Sequence, residues 1–253
     1  MPARSLLTRL HAGDEEAVRA VGEALPALAP LVDAVARAIA AGGRLLYLGA
    51  GTSGRLAAAD AAEWPPTFGT APSRAVALVA GGARALSRAV EGAEDDRAAG
   101  AAAIRAARAG ERDVVVGVSA SGRTPFVLAG LAEARRRGAA TALLTSGRGA
   151  RARVDHLVLL DTGPERIAGS TRMKAGAAAR MALTLLSSAA MIRAGRAPGG
   201  RMLDLVPTSA KLRARAVRLV VEATGVTPAR ASRALGRHGY VVRAAIADLG
   251  GRT

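Results

Sequence analysis

The chain has 253 residues, with 36 Lys and Arg against 20 Asp and Glu, a formal charge of +16 and only 2% aromatic side chains. That length suits one α/β domain with a small appendage and a core of Ala, Leu and Val; the basic balance fits an anionic substrate, since too few rings are present to stack nucleic-acid bases. The absence of cysteine removes disulfides, thiolate chemistry and Cys-type zinc, and three scattered histidines compose no metal site. The first residues lack a charged-then-apolar leader pattern. The longest apolar run, Met181 to Ile192, is bounded by Arg180 and Arg193 and is too short for a bilayer, so a cytoplasmic protein without membrane contact is expected.

Residues from about Ser5 to Ala41 read as two helices. Leu6, Leu7 and Leu10 form an apolar stripe, and Asp14-Glu15-Glu16 supplies first-turn acids to the second helix. Gly42-Gly43 stops this segment before a short apolar strand, Leu45 to Leu48, which breaks at Gly49 into Ala50-Gly51-Thr52-Ser53-Gly54. A helical run to Glu63 follows. A strand, glycine loop and helix gather free backbone N–H groups at the positive end of a helix, so the loop is either an anion pocket or a plain tight turn. It matches neither the dinucleotide fingerprint nor the P-loop. Pro65-Pro66 then ends the helix and leaves Glu63 at its negative pole, as a solvated end residue or a working acid.

Ala75 to Ala80 reads as a second strand, closed by Gly81-Gly82, and a helix is expected to carry Ala89 to Asp96. Glu91, Glu94, Asp95 and Asp96 crowd there, either as a solvated acidic turn or as a source of general acid–base groups. The valine-rich stretch Asp113 to Val118 reads as a strand buried on both faces. It runs into Ser119-Ala120-Ser121-Gly122-Arg123-Thr124-Pro125, a second hydroxyl-and-glycine loop before a helix. Two such loops at the carboxyl ends of parallel strands share a crevice, the usual ligand position in open α/β sheets. A helix to Arg137 and strands Thr141 to Thr145 and Val154 to Leu160 follow. The loop Gly163 to Gly176 enters a long helix to about Ala194, with Ser170 or Thr171 as its expected cap and Arg166, Arg172 and Lys174 drawing an anion to it. After Gly199-Gly200, three short helices are expected: Arg213 to Glu222, one opened by Thr227-Pro228, and Tyr240 to Leu249.

The runs GAGTSGRLAAADAAEWPPTFG, AGG, AVEGAEDD, SASGRTP and GPERIAGSTRMKAG resemble, in order and spacing, the N-acetylmuramic acid 6-phosphate etherases of the sugar isomerase (SIS) superfamily, which also includes the glucokinase regulatory protein. The similarity runs from about Leu25 to Lys211, and the last helices resemble the family's small ubiquitin-associated-like piece. The resemblance implies an α/β fold: a doubly wound, five-stranded parallel sheet flanked by helices. It divides the chain into N-terminal helices 1–41, a sugar-phosphate domain 42–198 and a helical piece 205–253. It also implies cleavage of the D-lactyl ether of N-acetylmuramic acid 6-phosphate by elimination and hydration, with Glu63 as the acid and Glu94 as the base. Gly51, Thr52, Ser53 and Gly54, together with Ser119, Ser121, Gly122 and Thr124, are the implied phosphate loops. Arg172 and Lys174 are implied for the lactyl carboxylate or the phosphate. No cofactor or metal is implied; a homodimer with shared sites is, and the alternative is a silent sugar-phosphate sensor. Four features depart from the family pattern. The usual N-terminal arm with Thr-Glu and Asn-x-x-Ser elements is not among these residues. Ser119 stands where alanine is common, Asp60-Ala61-Ala62-Glu63 replaces Asp-Ala-Ser-Glu, and Thr145-Ser146-Gly147-Arg148 replaces an Asn-Pro turn.

Overall fold

The computed structural model describes residues 1–205, 207 and 209–251, so residues 206, 208, 252 and 253 of the expected C-terminal piece lie outside the described residues. In chain order the first elements are α1 (Ala3–Ala40), β1 (Leu45–Gly49), α2 (Gly51–Ala62), α3 (Trp64–Phe68), β2 (Ala75–Val79) and α4 (Arg97–Ala106). They are followed by β3 (Val114–Val118), α5 (Pro125–Arg136), β4 (Ala140–Thr145), β5 (His156–Leu159) and α6 (Lys174–Arg193). The last three helices are α7 (Ala210–Thr224), α8 (Pro228–Arg237) and α9 (Val242–Asp248).

The five strands are all parallel, in the order β2-β1-β3-β4-β5. Of the three inner strands, β1 and β3 are buried along their whole length, as their apolar runs require. Alternate residues serve opposite faces. Leu45, Tyr47, Val116 and Leu144 join the core beneath α1, α2 and α6, while Leu46, Leu48, Val115 and Leu143 join the core beneath α4 and α5. Helix α6 has the length and apolarity of a membrane span, yet Ala178, Ala182, Leu183 and Leu186 are buried in the first of these cores.

Two expectations are corrected here. The N-terminal segment is one helix of 38 residues, not two. Gly13 does not break it, because the Lys174 and Arg166 stems fill the space beside its Cα. Pro26 and Pro30 lie inside α1 at the expense of two helical hydrogen bonds, and buried Leu28, Leu31, Val32 and Val35 hold the helix through that stretch. Residues 89–96 form no α-helix. Gly92 turns with φ 72°, a single 3-10 turn spans Ala93–Asp95, and the Asp96 carboxylate accepts the Ala99 N–H at 2.8 Å as the N-cap of α4. Crowded acids suit a cap better than a helix interior.

The C-terminal helices close on their own core of Leu203, Leu205, Val220, Leu235 and Ile246. Thr227 caps α8, as its pairing with Pro228 suggested. Arg243 reaches back to Asp204 at 2.9 Å.

The junction of β1 with α2 is closely packed at the sheet's carboxyl edge. A Cβ on Gly54 would lie 2.7 Å from Val79 Cγ1 and 2.9 Å from the Gly49 carbonyl oxygen. Gly54→Ala should therefore destabilise the fold by about 1–3 kcal/mol, the usual cost of overpacking. A urea midpoint equal to that of the parent chain would show that the junction relaxes freely.

Candidate functional site

Helix α2 begins at Gly51 behind an extended Ala50 that offers no side-chain cap. Its first N–H groups therefore remain open at the positive end of the helix dipole. Thr52 and Ser53 are half-buried beside them, whereas Gly54 is packed against Gly49 and lines no open surface. Ser53 borders a crevice of about 10 Å³ with Thr145, Ser146, Thr171 and Gly176, room for no more than one water.

In the second loop, Gly122 adopts φ 68°, and its N–H donates to the Ser119 hydroxyl at 3.1 Å. The same hydroxyl lies 2.7 Å from Thr124 Oγ1. Ser119 is buried, and its hydroxyl is engaged within the loop itself. Ser121 is exposed; its hydroxyl accepts the Arg123 N–H at 3.2 Å and lies 3.5 Å from the Ser119 hydroxyl.

Beside Gly51 lies a cavity of about 180 Å³ lined by Arg55, Arg88, Glu91 and Glu94. Arg55 donates to the Ala85 carbonyl at 3.0 Å. The cavity thus combines backbone donors, two guanidinium groups and the Glu94 carboxylate, a set able to hold an anion next to a proton acceptor. Glu63 is elsewhere. It is the exposed C-cap of α2, and the 12 residues of that helix put it about 18 Å from Gly51. One chain does not bring Glu63 and Glu94 together. Directly inside Glu63 is a buried polar cluster: Asp60 accepts the Tyr47 phenol at 2.8 Å and the Ser187 hydroxyl at 3.0 Å. Burial pushes both the Asp60 carboxyl and the Tyr47 phenol above their ordinary values.

The entry to α6 differs from expectation. Neither Ser170 nor Thr171 caps it; the Glu165 carboxylate accepts the Lys174 and Ala175 N–H groups, each at 3.0 Å. Each carboxylate oxygen satisfies one orphan donor, and both bonds are charge-assisted. Lys174 is buried with its ammonium 2.5 Å from Glu16, and Arg166 pairs with the same carboxylate. Only Arg172 of the expected pair is exposed. Among the described residues, no group of three or more His, Cys, Asp or Glu side chains is placed to share a metal ion.

Residues 27–135 match the glucokinase regulatory protein N-terminal SIS domain. The N-acetylmuramic acid 6-phosphate etherase of Halalkalibacterium halodurans is 46% identical over 243 residues, covering 95% of this chain and 82% of that protein. The etherase of Deinococcus radiodurans is 51% identical over 235 residues, covering 92% and 77%. The chain belongs to the N-acetylmuramic acid 6-phosphate etherase family. Solved phosphoheptose isomerases share its fold. The one from Francisella tularensis superimposes with a TM-score of 0.52 at 19% identity, covering 75% of this chain and 98% of that one. The one from Neisseria gonorrhoeae gives 0.50 at 22% identity, covering 73% and 97%.

Sequence reasoning did not single out Arg55, Arg88 or the Asp60 cluster in this etherase-family chain. Arg55 had a signal, since it stands four residues after Gly51 on the same helical face. Tyr47 and Ser187 had none, because 127 residues separate Ser187 from Asp60. The Lys174 ammonium holds the Glu16 carboxyl below its ordinary value. A lowered folded-state value means this pairing stabilises above the value for the unfolded chain and is lost as pH falls through the folded one. Glu16→Gln should therefore lower the melting temperature by a few degrees at neutral pH, with the gap closing in acid. A gap that persists unchanged in acid would place the effect outside this ion pair.

Proposed function

We propose that the chain cleaves the D-lactyl ether of N-acetylmuramic acid 6-phosphate, releasing D-lactate and N-acetylglucosamine 6-phosphate in the cytoplasmic recycling of cell-wall sugars. The observation that carries this reading is etherase identity of 46% over 95% of the chain, with both motif glutamates retained. The open-chain aldehyde acidifies the sugar's C2 proton, so the sequence is written without metal or organic cofactor. Glu94 takes that proton, and electrons from the C2–H bond form the C2–C3 double bond. The C3–O bond breaks, and Glu63 protonates the departing lactate oxygen. Water then adds at C3, giving up a proton to Glu63, while Glu94 returns a proton to C2 and the saturated sugar is restored. Thr52, Ser53, Ser121 and the open N–H groups of α2 hold the phosphate, with Arg55, Arg88 or Arg172 near the remaining negative charge.

D-Lactate release from N-acetylmuramic acid 6-phosphate is the direct test, and its absence with correctly folded protein overturns the reading. In D₂O, Glu63→Ala should still exchange the C2 proton while losing cleavage, and Glu94→Ala should lose both, each by on the order of 10²–10⁴-fold. Exchange by Glu94→Ala alone reverses the two roles.

The 12-residue helix between the two glutamates favours a site built from two subunits, Glu63 of one meeting Glu94 of the other. Helices α1 and α6 run side by side, linked by Glu16–Lys174 and Asp33–Arg193, and expose Val18, Leu25, Leu185 and Ile192 to such a partner. Mixing inactive Glu63→Ala and Glu94→Ala chains should then recover about a quarter of parent activity, because half the dimers are mixed and each mixed dimer holds one intact site. No recovery after subunit exchange, verified by mass spectrometry, would mean that each site belongs to one chain.

A further inference from the structure

Asp60 occupies a position that the proposed chemistry does not use. It is 5% exposed, and both its oxygens are engaged: one with Tyr47 on β1, the other with Ser187 on α6. It therefore ties the last turn of α2 to two other elements of the core. Its backbone carbonyl accepts the Glu63 N–H at 3.2 Å. On the other side of Glu63, Trp64 is 1% exposed and meets Phe68 edge-to-face at 6.1 Å. The Trp64 indole N–H is buried without a hydrogen-bond partner, yet it lies close enough to Asp60 to favour the charged carboxylate. Glu63 is thus an exposed residue whose backbone is fixed on both sides by buried anchors. Among the described residues its carboxylate takes part in no ion pair.

With no side-chain partner, the Glu63 carboxylate turns about its own torsions, and its backbone sets the region that it can reach. Rotating the end of α2 would swing Glu63 away from a substrate atom it must reach within hydrogen-bond distance. A hydrophobic residue at position 60 would fill the same space, but it would leave the buried Tyr47 hydroxyl without an acceptor.

We infer that Asp60 is a positioning residue for Glu63, holding the end of α2 against Tyr47 and Ser187 so that the Glu63 carboxylate stays within reach of the leaving group. The inference rests on the etherase reading above, and the tests separate the two. Asp60→Asn keeps the shape and one acceptor while weakening the clamp, and Tyr47→Phe removes one donor and leaves Asp60 in place. Each should lower kcat for D-lactate release by about tenfold or more with KM within about twofold, and should leave C2-proton exchange near the parent rate. The decisive comparison is in a Glu63→Gln background. There the same changes should add no further loss, since they act through the carboxyl already removed. An equal fold-loss in both backgrounds, or a parent kcat in Asp60→Asn and Tyr47→Phe, overturns the positioning role while leaving the etherase reading intact. A parent chain that releases no lactate overturns both. Should Asp60→Asn fail to fold, Tyr47→Phe carries the same comparison alone.

Discussion

The contact between the end of β1 and the first turn of α2 governs the working edge of the molecule. Gly49 and Gly54 meet backbone to backbone, and Val79 of the neighbouring strand closes the remaining space. Any side chain at either glycine would push α2 outward and move its open N–H groups off the carboxyl edge of the sheet. The rest follows from that approach. With the helix start fixed, Arg55 faces the cavity shared with Glu94, and Glu63 is carried one helix length away. Asp60 arrives where Tyr47 and Ser187 can hold it.

Acids are scarce in a chain of charge +16, and several of them act as clamps. Asp113 accepts from the Arg44 side chain at 2.7 Å, and the same guanidinium donates to the Ala107 and Arg108 carbonyls at the end of α4. Glu165 closes the start of α6, Asp96 the start of α4, and Glu16 neutralises a buried ammonium. Burying Lys174 without such a partner would be costly. A neutral amide could not repay that cost. The same economy leaves Glu63 and Glu94 exposed and outside any ion pair among the described residues.

The distribution of groups also explains why two carboxylates of one motif set do not meet within one chain. The two hydroxyl-bearing loops and Glu94 gather at the carboxyl edge, where open α/β sheets present backbone donors. Glu63 sits at the opposite end of a straight helix that cannot fold back.

The sequence by itself determined the sheet and its loops. Unbroken apolar runs at Leu45 to Leu48 and Val114 to Val118 can be satisfied only between two helical layers, and glycine with hydroxyls at their ends can only turn there. It determined the break at Glu63 as well, because Pro65 and Pro66 permit no other continuation of α2. It did not determine whether residues 3–40 form one helix or two, since Gly13 and Pro26 are local breakers overruled by packing against α6. Nor could it show that Ser119 turns inward, that Glu165 rather than Ser170 or Thr171 caps α6, or that Asp60 finds Ser187. Those outcomes depend on which groups share a buried space, and only the closing of α1, α2 and α6 over the sheet brings such distant residues within hydrogen-bond reach.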